Sequence, residues 1–309
     1  MNEQIEKLID NIEKVIVGKK ISIIKVIVAL LSEGHILIED VPGVGKTRLV
    51  SALASSVDGK FNRIQLTPDI MPSDIVGFSM IDPQTKAFTY KSGVAMCNFL
   101  LADEINRASP KAQSSLLELM EEHQISLDGQ TMSLPLPFMV LATQNPVETY
   151  GTYHLPEAQM DRFLMKISMG YPSFAEEMDI ITRSETNEFT QPLTAVMRVE
   201  DILYHIAEVR KVRCADSVKQ YIVSLLNATR TSSFVKLGAS PRAGIALLRA
   251  SKAFAYIYGR NYVVPDDVRN MMTAVLSHRL ILSPKGKSAF ATSEEVMTAI
   301  AKTVSVPLQ

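Results

Sequence analysis

The stretch HILIEDVPGVGKTRLVSALASS, residues 35–56, decides the fold of this chain. The apolar run at His35–Ile38 predicts a short buried strand, and the residues from about Lys46 to Ser56 predict a helix. Glycine and proline are concentrated between the two, which indicates a tight turn. A strand, a glycine-rich turn and a helix in this order are the context that a phosphate-binding loop requires.

The turn carries the groups that bind a triphosphate. Gly43 and Gly45 allow backbone N–H groups to approach a phosphate closely, and the helix N-terminus adds partial positive charge. Lys46 is expected to neutralise the β- and γ-phosphates of ATP, and the Thr47 hydroxyl is expected to ligate Mg²⁺. The predicted ATP-binding residues of the turn are Pro42, Gly43, Val44, Gly45, Lys46 and Thr47.

The motif departs from the usual G-x-x-x-x-G-K-[ST] pattern at its first position, where Asp40 replaces glycine. This places the first bend of the loop in question, although the Pro42-Gly43 pair can supply a tight turn. A glycine-rich turn without a ligand is the alternative interpretation. The strand before the motif and the helix after it favour phosphate binding.

A second motif, FLLADEINRA at residues 99–108, has two acids at the end of an apolar run. Phe99–Ala102 predicts a strand buried on both faces, and such a strand ends at the sheet edge where ligands bind. Asp103 is expected to hold Mg²⁺, and Glu104 to act as the general base that polarises the attacking water. The alternative is an exposed acidic strand end, which the upstream loop makes the weaker interpretation.

Three further polar residues follow or precede predicted elements. Asn145 ends the strand Phe138–Thr143, where its amide can bind the attacking water; an ordinary Asn-Pro turn is the alternative. Arg162 precedes the strand Phe163–Met169 and can reach a neighbouring subunit's ATP; a surface pair with Asp161 or a packing arginine is the alternative. Arg242 lies in the first turn of a helix, where the helix dipole disfavours a cation, so contact with ATP phosphates is a candidate role.

Buried strands that alternate with helices predict an α/β fold with a mostly parallel, doubly wound sheet. Two β-hairpins are predicted, with turns at Asp82-Pro83 and at Asp128-Gly129. After about Thr190 the pattern becomes helical, which predicts a separate all-helical domain. The expected domains are a nucleotide-binding core at residues 1–192 and a helical domain at 193–309. Four helices are predicted there, near Val199–Val212, Ala215–Ser232, Pro241–Tyr258 and Pro265–His278.

Composition sets limits on the class of protein. The chain has 309 residues, 47% of them hydrophobic and 21% charged, which is an ordinary globular balance. A net charge of −1 provides no global basic field, so nucleic-acid binding is not expected. Cys97 and Cys214 are too far apart in sequence to suggest a metal site, and they indicate a reducing compartment. Neither a secretory signal nor a membrane span is evident, so a cytoplasmic protein without membrane insertion is expected.

Taken together, five motifs resemble the MoxR family of AAA+ ATPases. They are EDVPGVGKT, LLADEINRA, ATQNP, LPEAQMDRFLMKI and SPRA, and their order and spacing from about Ile16 to Arg242 match the family. The resemblance implies a P-loop AAA+ core with β-hairpin inserts, followed by a smaller helical lid. It also implies homo-hexameric rings, von Willebrand A-domain partners, and chaperone-like maturation or metal-cofactor insertion in client proteins, with hairpins that line the ring's pore or touch substrate.

The resemblance assigns roles to single residues as well. Ile16, Val17 and Gly18 correspond to the segment that contacts adenine. Asn145 corresponds to sensor 1 and Arg242 to sensor 2. Arg162 corresponds to the arginine finger, and Arg107 is a second candidate for a contact between subunits. Whether Arg242 serves its own subunit's ATP or a neighbour's stays open at this point.

Three functions are compatible with these motifs. The first is an ATPase that remodels or assembles a client protein, with ATP bound between two subunits. The second is a DNA-directed AAA+ motor, which the nearly neutral charge disfavours. The third is a nucleotide-gated scaffold without turnover, which the presence of Lys46, Asp103 and Glu104 disfavours.

Overall fold

The structure, a computed structural model, describes residues 1–41, 43–84, 86–145, 153, 155–185 and 193–307. The strands that it contains are β1 (Ile36–Glu39), β2 (Phe61–Gln65), β3 (Gly77–Ile81), β4 (Phe88–Ser92), β5 (Phe99–Asp103), β6 (Gln124–Leu127), β7 (Gln130–Ser133), β8 (Met139–Gln144), β9 (Met165–Ile167), β10 (Val235–Leu237) and β11 (Ile281–Leu282). The helices are α1 (Glu3–Glu13), α2 (Lys20–Leu31), α3 (Lys46–Ser56), α4 (Pro72–Val76), α5 (Pro110–Glu122), α6 (Glu157–Met160), α7 (Phe174–Glu185), α8 (Val199–Lys211), α9 (Asp216–Thr231), α10 (Pro241–Ile257), α11 (Pro265–Leu276), α12 (Pro284–Ala289) and α13 (Ser293–Ala301).

Five strands form one parallel sheet in the order β2-β5-β8-β1-β9. Side chains of β1 alternate between two apolar cores, since Ile36 and Ile38 pack in one and Leu37 in the other. The same alternation divides β5, in which all five residues are buried. The predicted parallel α/β sheet is therefore confirmed. Because all five strands run in the same direction, their carboxyl ends meet at one edge.

Both predicted hairpins are present. The first pairs β3 with β4 after the short helix α4, and the second pairs β6 with β7. The second turn is at Asp128-Gly129 as predicted, and both residues have positive φ values of 51° and 76°. A two-residue turn with both φ positive matches the twist of the strands it joins. The first hairpin turns at Asp82-Pro83, also as predicted, where Asp82 N–H donates to the Ala87 carbonyl at 2.8 Å.

The described residues after 193 are mainly helical, in agreement with the predicted lid. The structure adds two features that the sequence pattern did not predict. One is the antiparallel pair β10–β11, so this region is not entirely helical. These strands are only three and two residues long, which is too short for alternation to be visible in the sequence. The other is the pair of helices α12 and α13 beyond Arg279.

The sequence predicts a helix at Ile21–Leu31 with Gly34 as its C-terminal cap, and the structure differs from this in detail. Glu33, with a φ of 53°, takes the left-handed position, and Gly34 follows it. Gly34 N–H then donates to the Ala29 carbonyl at 2.9 Å, and Glu33 N–H to that of Leu30 at 3.1 Å. Gly34 is needed for space instead, because an added Cβ would lie 2.5 Å from Leu164.

Ion pairs connect the lid to the core. Lys166 of β9 contacts Glu39 of β1 at 2.6 Å and Glu294 of α13 at 3.2 Å. Burial by itself lowers the pKa of Lys166, but the hydrogen bond and charge of Glu39 and the charge of Glu294 outweigh burial and raise it. None of the helices in the described part of the chain is long and apolar enough to cross a membrane.

His35 is buried at the start of β1 and is held as the neutral imidazole. Its Nδ1 accepts from Val140 N–H at 3.0 Å, so its Nε2–H donates to the Met120 carbonyl at 2.9 Å. Burial is the main cause that lowers the pKa of His35 to about 4; the nearby His123 acts in the same direction and the bond to Met120 opposes it. In the unfolded chain a histidine titrates at about 6.5.

We therefore predict that His35 makes folding stability fall as pH falls from about 6.5 to about 4. In that range the unfolded state binds the proton and the folded state does not, which costs about 3 kcal/mol in full. Urea unfolding at several pH values should show a shallower pH dependence in His35→Gln than in the unmodified protein. Equal slopes in the two proteins would contradict this role of His35.

Candidate nucleotide-binding site

A cavity of ≈ 440 Å³ opens at the carboxyl edge of the parallel sheet, beside the start of α3. Segments that are far apart in the chain meet in it, because β1, β5 and β8 all end at this edge. The predicted site residues that line it are Val17, Gly43, Val44, Gly45, Lys46, Thr47, Asp103, Glu104 and Asn145. The structure thus brings together most of the residues that the sequence motifs identified.

The glycine-rich loop has the backbone geometry that phosphate binding requires. Gly43 and Gly45 have φ values of 89° and 91°, which side chains rarely adopt. A Cβ built on either residue would meet no atom within 4 Å, so the space beside the loop is open. Lys46 Nζ donates to the Asp40 carbonyl at 3.0 Å, within the same loop. Pro42, which was predicted to contact ATP, lies outside the described residues.

Asp40 stands where phosphate-binding loops usually begin with glycine, and the structure shows its role. Its buried carboxylate accepts hydrogen bonds from the backbone N–H of Met169 and of Gly170, and from Ser168 Oγ at 3.1 Å. These partners follow β9, so Asp40 joins the ends of two neighbouring strands. The departure from the pattern therefore adds a cross-strand anchor and leaves the geometry at Gly43 and Gly45 intact.

The acidic pair at the end of β5 is held by two neighbouring strands. Asp103 accepts from Arg63 Nε of β2 at 2.7 Å and from Thr143 Oγ1 of β8 at 3.1 Å. The Thr143 oxygen also accepts the backbone N–H of Glu104 at 2.9 Å. One hydroxyl thereby fixes both acids relative to β8.

Glu104 itself has a strained backbone. Its φ of 58° and ψ of 53° are left-handed values that are uncommon for a residue with a side chain. This conformation turns the chain sharply from β5 into a short 3₁₀ turn, Ile105–Arg107. The Glu104 carboxylate lies in the cavity lining and is paired with Arg107 at 3.1 Å. Such strain is typical of residues that are held for function.

The opposite wall of the cavity is mainly apolar. Val17 lines it together with Val15 and Ile16, and Ile180 of α7 contributes from another side. Gly18 is beside this wall with a φ of 70°, but it is not part of the lining. An added Cβ at Gly18 would overlap the carboxylate end of the Glu176 side chain in α7, so that flexible side chain would have to move aside.

Arg162 and Arg242 do not line this cavity among the described residues. Both are joined to Glu121 of α5, with Arg162 Nη2 and Arg242 Nη1 each 3.2 Å from one of its oxygens. Arg162 Nη1 also donates to the Leu117 carbonyl at 2.8 Å. A second, smaller depression that Arg162 lines shares no lining residue with the first. Within one subunit, the two arginines are therefore outside the cavity that contains the phosphate loop.

Sequence reasoning missed Arg63 and Thr143, which hold the acidic pair. Arg63 is in a strand, FNRIQ, that has no motif, and its contact with Asp103 depends on the order of the strands in the sheet. Thr143 is the last residue of the predicted strand Phe138–Thr143. Its hydroxyl lies beside Asp103 because β8 pairs with β5, and a hydroxyl at the end of a buried strand is the signal that could have identified it. Both line the cavity.

The donor set fits a magnesium nucleotide. Asp103 and Thr47 supply carboxylate and hydroxyl oxygens, which are the ligands that Mg²⁺ prefers, and Lys46 supplies a cation for phosphate. The open space at Gly43 and Gly45 fits a triphosphate that approaches backbone N–H groups. Asp103 would exchange its contact with Arg63 for a contact with the ion or its water shell.

Comparison with known proteins gives a consistent result. The model of the ATPase family associated with various cellular activities (AAA) matches residues 35–165, and an AAA lid domain matches residues 227–300. Chaperone MoxR1 of Mycobacterium tuberculosis is 41% identical, over 98% of this chain and 82% of its own length. The chain belongs to the MoxR family of AAA+ ATPases.

Two further proteins are similar to this chain over nearly its whole length. Protein YeaC of Bacillus subtilis is 48% identical, over 98% of this chain and 95% of its own length. A crystal structure from Cytophaga hutchinsonii superposes with a TM-score of 0.91 and 38% identity, over 99% of this chain and 95% of that one. This MoxR-family protein therefore has an AAA+ fold with a helical lid, and it is an ATPase.

We predict that Thr143→Val slows ATP hydrolysis by about 10- to 100-fold while nucleotide affinity changes little. Valine keeps the shape but removes the bonds to Asp103 and to Glu104 N–H, so the base loses its position. Steady-state phosphate release and binding of a fluorescent nucleotide measure the two effects. Thr143→Ser keeps the hydroxyl and serves as the matched control. Turnover of Thr143→Val at the unmodified rate would show that this hydroxyl does not position Glu104.

Proposed function

We propose that this protein uses ATP hydrolysis to remodel or assemble client proteins, with each ATP site shared between two subunits of a ring. Within one subunit, the backbone of Gly43 and Gly45 and the ammonium of Lys46 would hold the triphosphate. Mg²⁺ would be held by Thr47 and Asp103. When bound, it would neutralise phosphate charge and orient the γ-phosphate for attack.

The hydrolytic step assigns a role to each polar group at the sheet edge. Glu104 would accept a proton from the attacking water as the water oxygen bonds to the γ-phosphorus. The bond from that phosphorus to the β,γ-bridging oxygen would break, and ADP would leave with phosphate as the other product. Asn145, buried at the end of β8 and in the cavity lining, would hydrogen-bond the same water or a γ-phosphate oxygen. Glu104 must leave Arg107 to do this, and the exposure of that pair makes the exchange inexpensive.

The observation that carries the shared site is the position of the two arginines. Arg162 and Arg242 are joined to Glu121 and do not line their own subunit's cavity. A head-to-tail arrangement of subunits would bring this face against the neighbour's phosphate loop. There Arg162 would act as the arginine finger, and Arg242 would act in the neighbour's site as well. A head-to-tail interface closes into a ring when the rotation between successive subunits allows it, and we propose a homo-hexamer on the basis of the family.

The client and partner are proposed on separate grounds. The first hairpin presents four exposed apolar side chains: Phe78, Met80, Ile81 and Phe88. Exposed apolar groups on a hairpin suit contact with an unfolded or partly folded client. The relative named Chaperone MoxR1 supports a chaperone-like activity. The family resemblance supports a von Willebrand A-domain partner and a role in cofactor insertion, and a cytoplasmic location accords with both.

The proposed domain division places the boundary between residues 192 and 193. The core at 1–192 would carry the phosphate loop and acids, and the lid at 193–309 would carry Arg242. A DNA-directed motor is the weaker alternative, because a net charge of −1 provides no field for a polyanion.

We predict that Lys46→Ala and Arg162→Ala are each inactive but restore activity when mixed. Lys46→Ala lacks phosphate binding but presents an intact arginine face, and Arg162→Ala has the converse defect. Random mixing in a head-to-tail ring creates complete sites at roughly a quarter of the interfaces. Phosphate release from the mixed proteins, compared with each alone, measures this.

The outcomes separate the parts of this proposal. Glu104→Gln should bind ATP and hydrolyse it slowly, and unimpaired turnover would contradict its role as base. Loss of activity in Arg162→Ala should exceed about 100-fold at unchanged nucleotide affinity. A mixture that remains inactive, although both proteins join one ring, would contradict the shared site.

A further inference from the structure

Arg279 is a buried arginine for which the proposed hydrolytic step has no use. It ends the 3₁₀ turn Ser277–Arg279 that follows α11 in the lid, and its side chain is only 3% exposed. A buried guanidinium requires a partner for its charge and for each of its five N–H groups. The partners that Arg279 has therefore indicate what holds it there.

All five donors of Arg279 are used, and four of the five bonds go to one core segment. Nε donates to Asp161 Oδ1 at 2.6 Å. Nη2 donates to the backbone carbonyls of Asp161 at 3.2 Å and Phe163 at 2.6 Å, and Nη1 to that of Leu164 at 3.1 Å. The fifth bond goes to Val275 in α11. Arg279 of the lid is therefore hydrogen-bonded to residues 161–164, the segment that contains Arg162.

The second oxygen of Asp161 reaches a different part of the lid. Asp161 Oδ2 accepts from Ser240 Oγ at 3.0 Å. Ser240 is the N-cap of α10, and its oxygen also accepts Ala243 N–H at 3.2 Å. Arg242 is in the first turn of that helix. A single carboxylate therefore joins the segment of Arg162 to the start of the helix that carries Arg242.

Asp161, Ser240 and Arg279 form one connected unit with Arg162 and Arg242. Glu121 joins Arg162 and Arg242 at their tips, and Asp161 joins their backbones through Ser240 and Arg279. Burial lowers the pKa of Arg279, the bond to Asp161 opposes this, and the charge of Arg242 lowers it further.

We propose that Asp161, Arg279 and Ser240 are positioning residues that hold Arg162 and Arg242 as one rigid unit for the neighbouring subunit's ATP. This inference rests on the proposed shared site. None of the three touches nucleotide. Because Arg279 and Ser240 belong to the lid and Asp161 to the core, these bonds fix the lid against the core segment of Arg162 and present both arginines to the neighbour in one arrangement.

The variant Asp161→Asn tests the unit with little change of shape. It removes the charge that balances Arg279 and weakens both links. We expect kcat for ATP to fall about 10-fold or more while KM stays near the unmodified value, because the variant's own phosphate loop is intact. Mixing with Lys46→Ala, which brings an intact arginine face, should restore activity as it does for Arg162→Ala.

Asp267→Asn is the matched control for damage to the lid itself. Asp267 forms a buried pair with Arg260 at 2.5 Å inside the lid, and neither contacts residues 161–164 or Ser240. At the Ser240 link, Ser240→Ala should lower kcat and Ser240→Thr should preserve it, because only threonine keeps the hydroxyl.

Each outcome decides the matter. A kcat for Asp161→Asn at the unmodified level, while Arg162→Ala and Lys46→Ala complement each other, overturns this inference alone. The inference is also overturned if kcat falls in Asp161→Asn and mixing with Lys46→Ala does not restore it. The same holds if Asp267→Asn changes kcat and KM in the same way, because either result would assign Asp161 a merely structural role. Failure of Arg162→Ala and Lys46→Ala to complement each other contradicts the shared site first.

Discussion

The site depends on one constraint: β1 is an interior strand, paired in parallel with β8 on one side and β9 on the other, in a sheet that two apolar cores bury. Parallel pairing fixes which end of each strand reaches the carboxyl edge. It places Thr143 of β8 beside the acids of β5, and it brings the end of β9 to the Asp40 carboxylate. A slip of one residue in β1 would exchange the two core faces and displace the phosphate loop.

Much of this arrangement is predictable from the sequence because it depends on local signals. The loop at Gly43–Thr47, the two hairpins and the strands β5 and β8 follow from glycine placement, turn residues and unbroken apolar runs, and the structure confirms them. The left-handed residue after α2 was wrongly expected at glycine, since Glu33 takes it and Gly34 is kept for space against Leu164. The antiparallel pair β10–β11 was not predicted, because its strands are too short to show an alternation of apolar and polar residues.

The features that could not be predicted are contacts between segments distant in sequence. Arg63 reaches Asp103 only because β2 is next to β5, and no local pattern encodes that neighbour. Arg279 grips residues 161–164 from more than a hundred positions away, through a turn that has no motif. The resemblance named Arg162 and Arg242 as separate elements. Their attachment to Asp161 and Glu121 emerges only when the lid is packed on the core.

The most direct measurement is a structure of the assembled Glu104→Gln protein with Mg²⁺ and ATP, because this variant should bind ATP without consuming it. The account predicts a triphosphate wrapped by Gly43–Thr47, with Mg²⁺ next to Asp103. Arg162 and Arg242 should reach the γ-phosphate from the adjacent subunit, released from Glu121. A γ-phosphate contacted only by groups of its own chain, with both arginines still on Glu121, would contradict the account.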